Sequence, residues 1–256
     1  MRNLMIKLEY DGTNYNGWQI QPNGITIQEE LMKAVKKLTG QDVTIYGSGR
    51  TDARVHARGQ VANFHIDSNV KTQDFLGGLN HFLPQDIVIL EVKEVAREFH
   101  ARYWAQGKIY SYQVYNHPQR GALNRNYTYH ISHKLDLSKM EEAGKLLIGK
   151  HNFKGFMNSG SNVESTVRTI YDLRINKRSH NIYFILEGNG FLYNMVRIIV
   201  GTLIEVGMGK RELKLVEEAL KTGNRDLAGH TVPAQGLFLD KVLYPLTLQE
   251  DCIKIN

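Results

Sequence analysis

Asn3-Leu4-Met5-Ile6-Lys7-Leu8-Glu9-Tyr10 puts Leu4, Ile6 and Leu8 on one side of an extended segment and Asn3, Lys7 and Glu9 on the other. Successive strand side chains point to opposite faces, so this alternation describes a strand with one face on a core. Asp11-Gly12 ends it with a turn pair. The same period of two returns at residues 60–66 and again at 108–115, where Ile109, Ser111, Gln113 and Tyr115 oppose Tyr110, Tyr112 and Val114. Residues 167–176 and 182–187 read as a hairpin around 177–181, and residues 43–46, 87–95 and 236–244 as further strands. Short alternating strands belong to antiparallel sheets with one covered face.

Helical spacing falls between these strands. Thr26 offers an N-cap to a run in which Leu31, Ala34, Val35 and Leu38 recur until Gly40. Residues 72–82 form a second helix, closed by Pro84, and residues 137–148 a third, capped by Asp136 and stopped at Gly149. Residues 191–206 are a long, mostly apolar helix, and residues 211–221 an amphipathic one ending at Gly223. The element order is loosely duplicated without an exact repeat. The expected fold is α+β in two similar halves, mainly antiparallel sheets with helices packed on one face. The halves are 1–105 and 106–256, with no Pro- or Gly-rich linker between them.

A chain of 256 residues buries a core without a disulfide or metal staple. Its one cysteine, Cys252, excludes a disulfide framework and any multi-cysteine zinc site. The ten histidines are scattered, with no His-Glu-x-x-His pair, so no metal is expected. No apolar run reaches the roughly 20 residues that span a bilayer, and residues 1–10 lack a secretory signal pattern, so a cytoplasmic protein without membrane association is expected. Lys and Arg number 32 against 26 Asp and Glu, a net charge of +6 that leans toward a polyanionic partner.

The densest group of reactive side chains is Gly47-Ser48-Gly49-Arg50-Thr51-Asp52-Ala53-Arg54-Val55-His56-Ala57-Arg58-Gly59-Gln60, a glycine-bounded loop between two strands. Arg50 and Asp52 share one side of an extended segment, within reach of an ion pair. A phosphate-cradling loop needs a lysine before Ser or Thr, which is missing. Ser48 lacks the Gly-x-Ser-x-Gly setting of a hydrolase nucleophile. His56 reads as a packing or hydrogen-bonding residue of the loop. A second oddity is Arg197 among Val196, Ile198, Ile199 and Val200; a buried arginine calls for an acidic partner unless it snorkels to the surface.

The loop Gly47-Ser48-Gly49-Arg50-Thr51-Asp52-Ala53 resembles the signature of the tRNA pseudouridine synthase A family. Other segments are similar in the family's order: Tyr10-Asp11-Gly12-Thr13-Asn14-Tyr15-Asn16-Gly17-Trp18-Gln19, Gln60-Val61-Ala62-Asn63-Phe64, Phe99-His100-Ala101-Arg102-Tyr103, Lys108-Ile109-Tyr110-Ser111-Tyr112, Val167-Arg168-Thr169-Ile170, Phe191-Leu192-Tyr193-Asn194-Met195-Val196-Arg197 and Gly236-Leu237-Phe238-Leu239. One position departs: the family usually has glycine where Arg54 stands. If that residue needs a positive φ, arginine costs on the order of 1 kcal/mol.

The resemblance implies a cofactor-independent isomerase that converts the uridines at positions 38, 39 and 40 of the tRNA anticodon stem-loop to pseudouridine. It also implies an active-site cleft between the halves and a homodimer. It assigns Asp52 as nucleophile, Arg197 as its ion-pair partner, and Tyr110 as the ring that stacks on the uracil and as a possible base. Arg50 matches the residue given the base-flipping role, and Leu237 an apolar pocket residue. Arg58, Lys71, Arg102, Lys108, Arg120, Arg125 and Arg168 are further expected tRNA contacts. The alternative, raised by Arg54, is a divergent copy that binds tRNA or acts as an RNA chaperone with little or no turnover.

Overall fold

The computed structural model describes residues 1–160 and 163–245; Cys252 lies outside the described residues. In chain order the elements are β1 (Arg2–Tyr10), α1 (Ile27–Thr39), β2 (Tyr46–Gly47), β3 (His56–Ile66), α2 (Thr72–Phe82), β4 (Ile87–Val95), β5 (Gly107–Asn116), β6 (Tyr129–Ile131), α3 (Leu137–Leu147), β7 (Gly149–Asn152), β8 (Val167–Arg178), β9 (Asn181–Gly188), α4 (Met195–Gly207), α5 (Leu213–Thr222) and β10 (Leu237–Leu243). The chain is mixed α+β with mainly antiparallel pairing, as the alternation predicts. None of its described helices is long and apolar enough to cross a membrane.

Two compact units divide the chain: Met1–Gln106 with Phe238–Asn256, and Gly107–Leu237. The sequence reading gives everything after residue 105 to the second half. The contact division instead returns the residues from Phe238 to the first unit, because β10 pairs with β3, Phe238 opposite His56 and Leu239 opposite Ala57. That pairing is parallel and joins residues some 180 positions apart, beyond the reach of any local pattern.

In the first unit the strand order is β4-β1-β3-β10, with β2 on β3. Leu4, Ile6 and Leu8 are completely buried, and so are Phe64 of β3 and Phe75 of α2, whose rings meet at 6.3 Å. Thr26 caps α1 as expected, its hydroxyl accepting from the Glu29 amide at 3.4 Å, and Gly40 ends it in the left-handed region. The strand face assigned to solvent is partly covered. Asn3 is buried, and its side chain donates to the Phe99 and Ala96 carbonyls at 2.9 and 3.0 Å. Asn63 donates to Asn3 Oδ1 at 3.0 Å and accepts from the Ala101 amide at 2.8 Å. Two buried amides thus pin the segment that carries Arg102.

In the second unit β5-β9-β8-β7 run antiparallel, and β6 adds to β5 in parallel. Tyr112, Val114, Ile182, Phe184 and Leu186 are fully buried, so the even-numbered face of β5 is the core face. Asp136 caps α3 through the Lys139 amide, 3.2 Å away. Local pattern reading places other boundaries less well. β3 starts at His56, inside the expected loop, because its first residues pair with β10. The strand expected at 43–46 shrinks to Tyr46–Gly47. β6 and β7, of three and four residues, are too short to show a period. The apolar run 191–206 begins its helix only at Met195, because Asn194 is left-handed, with φ 59° and ψ 8°.

Candidate active site

Asp52 sits in a loop held on every side by the strand–turn segment that begins the chain. Tyr10 is buried, and its hydroxyl meets the Thr51 hydroxyl at 2.7 Å. The Trp18 amide donates to the Thr51 carbonyl at 3.1 Å, and the Arg54 amide to the Tyr15 carbonyl at 3.2 Å. Gly12 and Gly17 are required by close approach: a Cβ at Gly12 would overlap the Val55 carbonyl, and one at Gly17, whose φ is +89°, would overlap that of Thr51. At the loop's entrance the Ser48 hydroxyl donates to Gln60 Oε1 at 2.6 Å, and Gln60 Nε2 donates to the Gly49 carbonyl at 3.0 Å. Both side chains are fully buried. Ser48 is thus a structural residue that ties the loop to β3.

Asp52 itself is half-buried and opens a turn closed by the Val55 amide on the Asp52 carbonyl, 3.2 Å. Arg54 occupies the third position of that turn with φ 65°. Positive φ at this position is the type II geometry that favours glycine. The departure noted in the sequence therefore falls where a side chain is strained. Replacing Arg54 by glycine should relieve roughly 1 kcal/mol, less part of that for the added freedom of the unfolded chain. The expected result is a melting temperature raised by about 1–3 °C. A lower one would show that the Arg54 side chain makes contacts that outweigh the strain.

His56 is buried, accepts from the Gly12 amide through Nδ1 at 3.0 Å, and stacks on Phe238 with centroids 4.7 Å apart. This is the packing and hydrogen-bonding role expected of it. Arg58 pairs with Asp240 at 2.6 Å and lies over the Phe238 ring at 3.9 Å, so it staples β3 to β10. Arg50 and Arg102 are exposed.

The second unit gathers another set. Tyr110 is 8% exposed on β5 and meets Phe191 edge to face, centroids 5.3 Å apart. Lys108 lies on the same face, two residues earlier, and is half-buried. Tyr112, two residues later, donates its hydroxyl to the Pro233 carbonyl at 2.7 Å. Burial pushes the Tyr112 phenol well up, and the charge of the Arg197 guanidinium pulls the other way. Arg197 is half-buried; its Nε donates to the Val232 carbonyl at 2.7 Å and its Nη1 to Asn194 Oδ1 at 2.6 Å. Leu237 is 6% exposed, just after Gly236, where a Cβ would overlap the Tyr112 ring.

The Val232 carbonyl is held in turn. Thr202 Oγ1 accepts from the Gly229 amide at 2.8 Å, and Glu205 accepts from the His230 amide at 3.0 Å and its ring at 2.8 Å. Arg211 Nε also donates to Glu205, at 2.9 Å. Burial pushes the Glu205 carboxyl up, but the bonds from His230 and Arg211 outweigh it and hold the group below its ordinary value. Phe191, Asn194 and the Val232 carbonyl are absent from the residues singled out by sequence reasoning. The first two lie within the quoted motif 191–197, six and three residues before Arg197, a spacing that could have marked them.

The first unit therefore carries Asp52, Arg50 and Arg58, and the second carries Tyr110, Lys108 and Arg197. Comparisons with known proteins agree on what such a chain is. The family described as tRNA pseudouridine synthase matches residues 7–104 and 143–245. A tRNA pseudouridine synthase A 2 of Clostridium perfringens is 48% identical over 244 residues, covering 95% of this chain and 100% of that protein. A tRNA pseudouridine synthase A of Thermoanaerobacter sp. is 50% identical over the same length and shares. One of Acetivibrio thermocellus is 48% identical, again over 244 residues. Likeness of that degree, running the full length of those relatives and through both sets of residues, means that the chain belongs to the tRNA pseudouridine synthase A family.

Proposed function

We propose that this isomerase acts on the uridines at positions 38, 39 and 40 of the tRNA anticodon stem-loop, with Asp52 as nucleophile, Tyr110 against the uracil and Arg197 as the cation that keeps Asp52 ionised. The C1′–N1 bond breaks, the uracil turns, C5 bonds to C1′, and the C5 proton leaves while N1 gains one. Substrate and product have the same atoms and oxidation level, so the reaction consumes no co-reactant. While the base is detached, something must hold it or the sugar. A carboxylate does so by adding to ribose C1′ or uracil C6.

The observation that carries this reading is the Asp52 turn: a half-buried carboxylate on a backbone fixed by Tyr10, Tyr15, Trp18 and two close-packed glycines. Such pre-organisation suits a group that must meet a reacting carbon in one geometry. Tyr110 offers a ring on a rigid strand, and a flipped base is read by stacking on such rings. Removing a stacked base from RNA costs a few kcal/mol, which exposed Arg50 offsets by gripping the displaced strand. Arg58, Arg102 and Lys108 contribute charge toward the phosphates, and Leu237 an apolar wall. The chain works in the cytoplasm, as a homodimer on tRNA. Identity near one half with catalysts over their whole length supports turnover rather than a binding-only role.

The test is to map pseudouridine in the anticodon arm of cellular tRNAs with and without the gene. Loss at positions 38, 39 and 40, restored by the wild-type chain, is the expected outcome. Unchanged modification there, or loss only elsewhere in tRNA, would assign the chain a different target.

A further inference from the structure

We infer that Asn194 is a positioning residue for the reaction, setting the rotamer of Arg197 from a left-handed backbone position at the start of α4. The inference rests on the role given to Arg197 above and extends it to a residue that does not itself touch the substrate.

Asn194 stands where a helix N-cap would, yet its side chain makes no capping bond. Asparagine at an N-cap ordinarily accepts from an amide of the first turn with its side-chain oxygen. Here the residue is left-handed, and that oxygen instead accepts from Arg197 Nη1 at 2.6 Å. The backbone still serves the helix, because the Ile198 amide donates to the Asn194 carbonyl at 3.0 Å. Of the non-glycine residues, asparagine is among the few that tolerate this conformation. The position therefore combines an unusual backbone with a side chain committed to the cation.

A second clamp acts at Nε, through the Val232 carbonyl at 2.7 Å. The segment bearing Val232 is fixed to α4 by Thr202 and Glu205. An arginine side chain has four rotatable bonds and covers a wide volume unless gripped. Two acceptors on adjacent nitrogens fix the plane of the fork and aim its remaining N–H donors. With Asn194 removed, the grip on Nη1 is lost and the plane of the fork is held less firmly.

Asn194→Gly isolates the side chain, since glycine adopts the left-handed conformation freely. We expect the single-turnover rate at saturating enzyme to fall at least tenfold on an anticodon stem-loop substrate. The KM and the tRNA dissociation constant should stay within about twofold, because Arg197 serves the reacting carboxylate and not the RNA backbone. A single-turnover rate within twofold of wild type overturns the inference, as does a tenfold rise in KM with the rate unchanged. Arg197→Met is measured alongside. If it keeps wild-type turnover, the role of Arg197 is wrong; if it is inactive while Asn194→Gly is unaffected, only the positioning role of Asn194 falls.

Discussion

Asp52→Asn should abolish pseudouridine formation, with turnover reduced by at least a thousandfold, while tRNA binding stays within about tenfold, or roughly 1.4 kcal/mol. Asparagine has nearly the shape of aspartate, and the loop around it is held by the Tyr10–Thr51 hydroxyl pair, the Trp18 amide on Thr51 and the Val55 amide on the Asp52 carbonyl. The turn should therefore persist, and with it the surface around it. What disappears is the proposed nucleophile, because a neutral amide cannot form the ester-like adduct that would hold the detached sugar or base. Two measurements check this: pseudouridine release from labelled tRNA, and a tRNA binding isotherm. Turnover within tenfold of wild type would remove Asp52 from the mechanism. Lost binding alongside lost turnover would make it a folding or docking residue.

Arg197→Met is the second large effect. Methionine keeps much of the apolar stem and removes the charge. Turnover should drop by two or more orders of magnitude near neutral pH. Without the cation, the protonated form of the carboxylate is favoured, so less enzyme carries the active anion at a given pH. The sign follows: the ionised fraction grows with pH, and residual activity should climb as pH rises, its acid limb displaced upward from that of wild type. The Val232 carbonyl and Asn194 Oδ1 also lose their donor. Leaving such partly buried acceptors unpaired costs about 1–3 kcal/mol, so the melting temperature should fall as well. An acid limb at the wild-type pH, with only the melting temperature lowered, would reduce Arg197 to a structural staple.

Much of the fold was legible because its strands are half-covered and its helices carry their own stops. Leu4, Ile6 and Leu8 point one way in the sequence and are fully buried in the structure; Thr26, Gly40, Asp136 and Gly223 mark helix ends where they fall. The start of β3 was not legible, because it depends on a partner at the other end of the chain. Asn3 and Asn63 were not legible as core, because their burial comes from a crossing segment rather than from their own strand. At the candidate site the loop announced itself through glycines and charge. The apolar setting of Arg197 signalled a held cation, and its hydrogen bonds to Asn194 Oδ1 and the Val232 carbonyl show part of what holds it. The strain at Arg54 was legible only as a condition, which φ 65° fulfils. Asn194 stayed hidden, because its side chain bonds forward along the helix in place of the cap that its residue type suggests.

The return of β10 to the first unit also orders events during synthesis. The second unit, Gly107–Leu237, is one continuous stretch and can fold as soon as it has left the ribosome. The first unit cannot: Phe238, which stacks on His56, and Asp240, which grips Arg58, are made after the entire second unit. Until then the start of β3 lacks its neighbour. That part of the first unit is thus completed only once β10 has been made, and a chain that stops before Phe238 lacks both the ring that stacks on His56 and the carboxylate that grips Arg58.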